Sequence, residues 1–289
     1  MVNEIILNDD LDVIIDLSGH TSGNRLPLLA RRVAPIQMTW IGYPNTTGLK
    51  QIDYVICDKF NMPSNLFDKY WIEKPFYLNT AHIFETEKIN VEISQSPCIK
   101  NGFITFGSFN RRSKINDECL KAWANILVNV ENSVLKLGHI EDSETINHIN
   151  TIFLELGVNL NRIIYLTRLP IIEYLNIHNT IDIILDTWPY TGGTTTNYAV
   201  WMGVPVMTIS GNSRVTNQSA SILRRQNLDF MVFSNVEEYI KKTIDFSQDF
   251  IYLNSLRAKS RLNWKNNIHN NSEKFIQDFE EKISTLINS

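Results

Sequence analysis

Short, nearly continuous apolar runs alternate along this chain with longer stretches in which apolar residues recur every three or four positions. Runs of the first kind predict strands buried on both faces, and stretches of the second kind predict amphipathic helices. In the first hundred residues, Val13-Ile14-Ile15, Met38-Thr39-Trp40-Ile41 and Tyr54-Val55-Ile56 read as strands. Residues 60–100 carry no such rhythm, and Ser94-Gln95-Ser96-Pro97 reads as a linker.

From Phe103 onward the alternation is regular. The strand Phe103-Ile104-Thr105-Phe106 precedes a helix from Asp117 to Val128, and Val134-Leu135-Lys136-Leu137 precedes a helix over 143–156. Ile163-Ile164-Tyr165-Leu166 leads to a helix over 171–179, and Ile183-Ile184-Leu185 to one from Thr195 to Met202. Val206-Met207-Thr208-Ile209 leads to a helix over 215–226, and Phe230-Met231-Val232 closes the series. Strands alternating with helices predict an α/β protein with a parallel sheet covered on both faces. Such sheets bind ligands beyond the carboxyl ends of their strands. The tail, 236–289, reads as helical and polar.

Composition narrows the class. At 289 residues the chain is one large domain or two ordinary ones. With 43% hydrophobic and 20% charged residues it can bury a sizeable core and is not disordered. A net charge of -4 argues against charge-driven nucleic-acid binding. Cys57, Cys98 and Cys119 are odd in number with no CxxC spacing, so neither a disulfide framework nor a zinc knuckle is expected. The histidines outside the motifs, His82, His139, His148, His178 and His269, show no metal-ligand spacing, so no metal is expected. No apolar run reaches the ~18 residues of a membrane span, and the start lacks the regions of a signal peptide. Those features predict a cytoplasmic protein.

Four segments can carry chemistry. The first, Asp186 to Thr196, follows a buried strand and opens a helix: Gly192-Gly193 lets backbone approach a ligand, and Thr194, Thr195 and Thr196 offer N–H and hydroxyl donors at a helix N-terminus. That suits a phosphate or diphosphate, and equally a threonine-capped helix after a tight turn. The second, Gly107 to Lys114, places Arg111, Arg112 and Lys114 at a strand's carboxyl end, as an anion site or as a solvated basic turn. Lys114 can neutralise a departing diphosphate. The third, Asp16-Leu17-Ser18-Gly19-His20-Thr21 with Asp12 upstream, offers a base or a substrate contact, or a merely structural histidine. The fourth, Ala34 to Gly48, is a strand entering a Gly/Pro/Asn turn.

In order, these segments, with Trp201-Met202-Gly203-Val204-Pro205, resemble the catalytic region of the O-GlcNAc transferase and SPINDLY family of glycosyltransferases. The similarity runs from about Asp12 to the C-terminal helices. It implies a GT-B-like fold of two Rossmann-like halves: an incomplete first half, 1–98, on the acceptor side, and a nucleotide-sugar-binding half, 99–289, with a doubly wound parallel sheet and the C-terminal helices. Members begin earlier and present protein acceptors on a tetratricopeptide array. They transfer a sugar from a nucleotide donor, UDP-GlcNAc or GDP-fucose, to Ser or Thr hydroxyls of a protein or peptide, without a metal or other cofactor. The resemblance places Lys114 on the donor diphosphate as a catalytic group. It places Gly192, Gly193, Thr194, Thr195 and Thr196 on the donor phosphates, with Asn110 and Arg111 beside the donor. Tyr198 stands where members carry a carboxylate for the ribose, and Asp12 where animal members carry a histidine. Asp12 and His20 are the candidate bases. A GT-B-like binding module without transferase activity is the competing expectation.

Overall fold

The computed structural model describes residues 2–64, 70–85 and 91–289. These form two compact units. The reading of 60–100 as irregular extends over 65–69 and 86–90, which lie outside the described residues.

The first unit holds Met1–Ile83, Asn212–Val215 and Ile268–Ser289. After helix α1 (Val2–Asn8) come β1 (Val13–Asp16), α2 (Leu26–Leu29), β2 (Ile36–Thr39), β3 (Tyr54–Cys57) and β4 (Lys74–Tyr77). The four strands form one parallel sheet in the order β1-β2-β3-β4. The three strands expected from apolar runs are present. The fourth lay hidden in the stretch read as irregular, because Lys74-Pro75-Phe76-Tyr77 has no apolar rhythm. Pro75 is tolerated because β4 pairs on one side alone.

The last helix, Ser272–Ile287, corrects the expected domain division. Its Phe275, Phe279, Ile283 and Leu286 recur at helical spacing and pack on the first sheet beside Met38, Ile56 and Leu78. The indole of Trp40 stacks on Phe275 and Phe279 at 5.9 and 6.2 Å. Asn79 donates twice to the Asp278 carboxylate at 2.8 Å, and Lys282 donates to the Tyr77 carbonyl at 2.9 Å. The division therefore falls after Ile83 rather than at residue 98, and this helix belongs to the first unit.

The second unit, Phe84–Gly211 with Thr216–Asn267, runs α3 (Pro97–Asn101), β5 (Thr105–Ser108), α4 (Asp117–Asn129), β6 (Val134–Gly138), α5 (Ser143–Glu155), β7 (Ile163–Leu166), α6 (Ile171–Ile177), β8 (Ile183–Leu185), α7 (Thr194–Trp201), β9 (Val206–Ile209), α8 (Gln218–Arg225), β10 (Val232–Phe233), α9 (Val236–Ser247) and α10 (Phe250–Asn266). Side chains of Asn116, Asp142, Asn235 and Asp249 accept from backbone amides at the starts of α4, α5, α9 and α10, which explains where those helices begin. All six strands are parallel, in the order β10-β9-β8-β5-β6-β7. This is the expected doubly wound sheet. From β5 the chain winds outward to β7, then returns to β8 and winds the other way. The β5–β8 pair is thus the topological switch point, where a crevice opens beyond the carboxyl ends.

The core joins both faces through Phe106, Trp123, Leu137, Phe153, Leu185 and Tyr239, all buried. Arg257 is buried with them. Its guanidinium donates to the carbonyls of Ser94, Ile181 and His178 at 2.7–2.9 Å and so ties α10 to the sheet. Cys57, Cys98 and Cys119 are free thiols, all buried.

Candidate functional site

Two loops meet at the switch point. The loop after β5 carries Asn110, buried, then Arg111, exposed, and Lys114, half-buried. The loop after β8 runs from Asp186 to Gly193 and enters α7. Asp186, 1% exposed, organises both. Its Oδ1 accepts from Asn110 Nδ2 at 2.8 Å and from the Gly192 amide at 2.9 Å, and its Oδ2 accepts from Thr208 Oγ1 at 2.7 Å. Thr195 Oγ1 closes the ring by donating to Asn110 Oδ1 at 3.0 Å.

Gly192 is glycine for a steric reason. A Cβ there would overlap the Thr196 hydroxyl and lie 2.9 Å from that of Thr195. Gly193 occupies the N-cap and supplies no side-chain cap, so the first amides of α7 stay open. They form the positive end of the helix, suited to an anion.

Lys114 reaches the same turn. Its Nζ donates to the Thr191 carbonyl at 2.7 Å and lies 3.9 Å from the centre of the Tyr190 ring. Burial, aided by Arg111 and opposed by Asp186, lowers its pKa to about 8. It is still mainly a cation at neutral pH.

Of the residues predicted for this site, Asn110, Lys114, Gly192, Gly193, Thr194 and Thr195 come together. Thr196 turns inward: its buried hydroxyl lies against Gly192 and bonds Ser219 Oγ at 2.7 Å, so it supports the turn from within and is not open to a ligand. Ser219 also donates to the Gly192 carbonyl at 3.0 Å. Asp186 and Ser219 were not singled out in the sequence. Their roles arise from contacts with residues far away in the chain.

Beside the α7 N-terminus lies a pocket of about 620 Å³, lined by His139, Arg168, Tyr174, Thr194, Thr195 and Tyr198 among others. His139 and Tyr174 stack at 6.1 Å, and Tyr174 meets Tyr198 edge-on at 5.7 Å. His139 adopts a left-handed φ of 62°, and burial, then Arg168, lowers its pKa. It therefore presents a neutral, flat ring at neutral pH. In the sequence His139 is one of the dispersed histidines, since nothing in residue spacing signals a positive φ.

In the first unit, Asp12 and His20 are not brought together. Asp12 precedes β1 and His20 follows it, so the strand's four residues, about 13 Å, separate them. His20 stands at the carboxyl end, exposed, its Nε2 2.8 Å from the Thr47 carbonyl and its ring edge-on to Tyr43. A carbonyl only accepts, so Nε2 carries the proton there. The buried Glu73 accepts from the Thr47 amide at 2.7 Å and from Thr46 Oγ1 at 2.6 Å, and it fixes the Trp40–Gly48 loop. Ile41 in that loop has a φ of 58°, a strained state for a β-branched residue. Among the described residues no three His, Cys, Asp or Glu side chains gather to hold a metal ion. No helix among them is long and apolar enough to cross a membrane.

Two units, each built on a parallel sheet, with a switch-point crevice in the second, are features of the GT-B class of glycosyltransferase folds. Sucrose-phosphate synthase of Thermosynechococcus elongatus superposes with a TM-score of 0.60 at 10% identity, covering 94% of this chain and 65% of that one, and shows the fold alone. The chain belongs to glycosyl transferase family 41, whose model matches residues 2–90 and 85–279. It is similar to the probable UDP-N-acetylglucosamine–peptide N-acetylglucosaminyltransferase SPINDLY of Solanum lycopersicum, 36% identical over 266 residues, 90% of this chain and 28% of the relative. A mutant of the Thermobaculum terrenum O-GlcNAc transferase superposes with a TM-score of 0.89 at 31% identity, over 99% of this chain and 55% of that one. The chain thus spans less than a third of the tomato relative and about half of the Thermobaculum chain.

Proposed function

We propose that this chain carries the nucleotide-sugar site of a protein O-glycosyltransferase. The observation that supports this most is the convergence of Lys114 and the open N-terminus of α7 on the Gly192 turn. In this reading the diphosphate lies on the amides of Thr194 and Thr195. The nucleoside enters the pocket beside His139, Tyr174 and Tyr198. The acceptor hydroxyl oxygen bonds to the anomeric carbon as the carbon–oxygen bond to the diphosphate breaks. The diphosphate leaves with the electron pair, and Lys114 and the helix offset its growing charge. The hydroxyl proton passes to a general base, and His20, in the first unit, is the candidate that the sequence offers for it. Asp12, at the amino end of β1, has no part in this reading. The acceptor is a Ser or Thr hydroxyl of a protein or peptide.

The relatives' names make UDP-N-acetylglucosamine the first donor to test, and GDP-fucose, the other donor that the family resemblance implies, is the second. Calorimetric titration with UDP, GDP and both sugar nucleotides tests the reading. The expected result is saturable binding of one base, weakened by Lys114→Ala. No binding at millimolar ligand overturns it. A second reading, a binding module without transfer, draws on Tyr198. Its ring packs against Phe84 at 4.8 Å, and among the described residues no carboxylate lines the pocket to hold ribose hydroxyls. Nucleotide binding with no sugar transfer to any peptide would favour it.

A further inference from the structure

We infer that Tyr190 is the positioning residue for Lys114, its ring face holding the ammonium on the Gly192 turn. This rests on the donor-site reading above. A lysine has three N–H donors, and here one goes to the Thr191 carbonyl. No carboxylate among the described residues lies within ion-pair distance of Nζ. The charged groups that act on it are Asp186, which attracts, and Arg111, which repels. The Tyr190 ring, 3.9 Å away, is the remaining contact that favours a cation over a neutral amine.

The loop is built to hold that ring in place. Thr187 Oγ1 donates to the Tyr190 carbonyl at 2.8 Å, and Asn116 Nδ2 donates to the Trp188 carbonyl at 2.6 Å. Trp188 is buried edge-on against Tyr239 at 5.1 Å. Tyr190 itself is 40% exposed and contributes little to the core. An aromatic ring kept at the surface on a rigid loop, with its face over a cation, is placed for that cation.

Tyr190→Phe keeps the ring and Tyr190→Leu removes the π face while keeping apolar bulk. The Lys114 side-chain amine is titrated by NMR in both and in the unsubstituted chain, and UDP and GDP affinities are measured on the same samples. The titration needs no transferase activity. In Tyr190→Leu its midpoint should fall by roughly half a pH unit, as loss of a partly exposed cation–π contact implies. Nucleoside-diphosphate affinity should fall about three-fold with it, while Tyr190→Phe stays near the unsubstituted chain. An unmoved midpoint in Tyr190→Leu overturns the proposal, as does a Tyr190→Phe variant equally affected. Failure of the unsubstituted chain to bind either nucleotide overturns instead the donor-site reading, and with it the role assigned to the held lysine.

Discussion

Asn110 Nδ2 donates to Asp186 Oδ1 at 2.8 Å, and this bond joins the loop after β5 to the loop after β8. The residues are 76 positions apart and follow the two strands at which the sheet reverses its winding. The same Oδ1 holds the Gly192 amide. One buried carboxylate therefore sets the distance between the lysine loop and the helix N-terminus.

Substituting Asp186 separates charge from geometry. In Asp186→Asn the amide oxygen can still accept from Asn110 and Gly192, and the Thr208 hydroxyl can rotate to accept from the new NH₂. Only charge assistance is lost, so stability should fall by about 1–2 kcal/mol. Asp186→Ala leaves three buried donors without a partner and should cost about 3 kcal/mol or more. Urea denaturation distinguishes the two.

Gly192→Ala tests the close approach at the turn. The added carbon collides with the Thr195 and Thr196 hydroxyls, so the turn must open. The expected result is a stability loss of about 1–3 kcal/mol and at least ten-fold weaker nucleotide binding. Thermal unfolding and calorimetry read the two effects on one sample.

Lys114 predicts opposite pH trends for activity and stability. Its folded-state pKa, about 8, lies below its unfolded value, ~10.4. Between these values the unfolded chain binds the extra proton, so Lys114's contribution to stability rises with pH in that window. Donor binding needs the cation, so affinity and transfer should fall as pH rises through about 8. Lys114→Arg should move that alkaline limb upward, and Lys114→Ala should lower turnover by about 10²-fold. A pH–rate profile beside a pH–stability profile checks both directions.

His178 predicts the acid behaviour. It is fully buried, its Nδ1 bonds the Tyr174 carbonyl at 2.9 Å, and burial lowers its pKa to about 4. The unfolded histidine titrates near ~6.5, so the unfolded chain takes up the proton first and stability falls as pH drops from there toward 4. His178→Gln keeps a donor but does not titrate. Its stability should depend less steeply on pH between 6.5 and 4 in denaturant titrations.

The second unit was legible in the chain almost strand by strand, because its strands lie in or beside short apolar runs bounded by turn residues. The glycine–threonine turn and the basic loop were legible as separate segments. β4 was not, because an edge strand with Lys74 and Pro75 has no periodicity to read. The division of the chain was not either: Ser272–Ile287 has the pattern of any amphipathic helix, and that pattern does not say which sheet it covers. The roles of Thr196 and His139 were equally hidden. One depends on a hydroxyl 23 residues away, the other on a backbone angle.

By itself, the sequence determined the elements and the types of chemistry available: a parallel α/β chain with a lysine loop and an open helix start. Apolar periodicity and glycine placement are local properties, and local physics suffices to read them. Tertiary structure alone decided that the two loops lie side by side and that Asp186 joins them. The reason is strand order. Which carboxyl ends become neighbours depends on how the sheet winds, and winding is settled by the packing of residues many tens of positions apart.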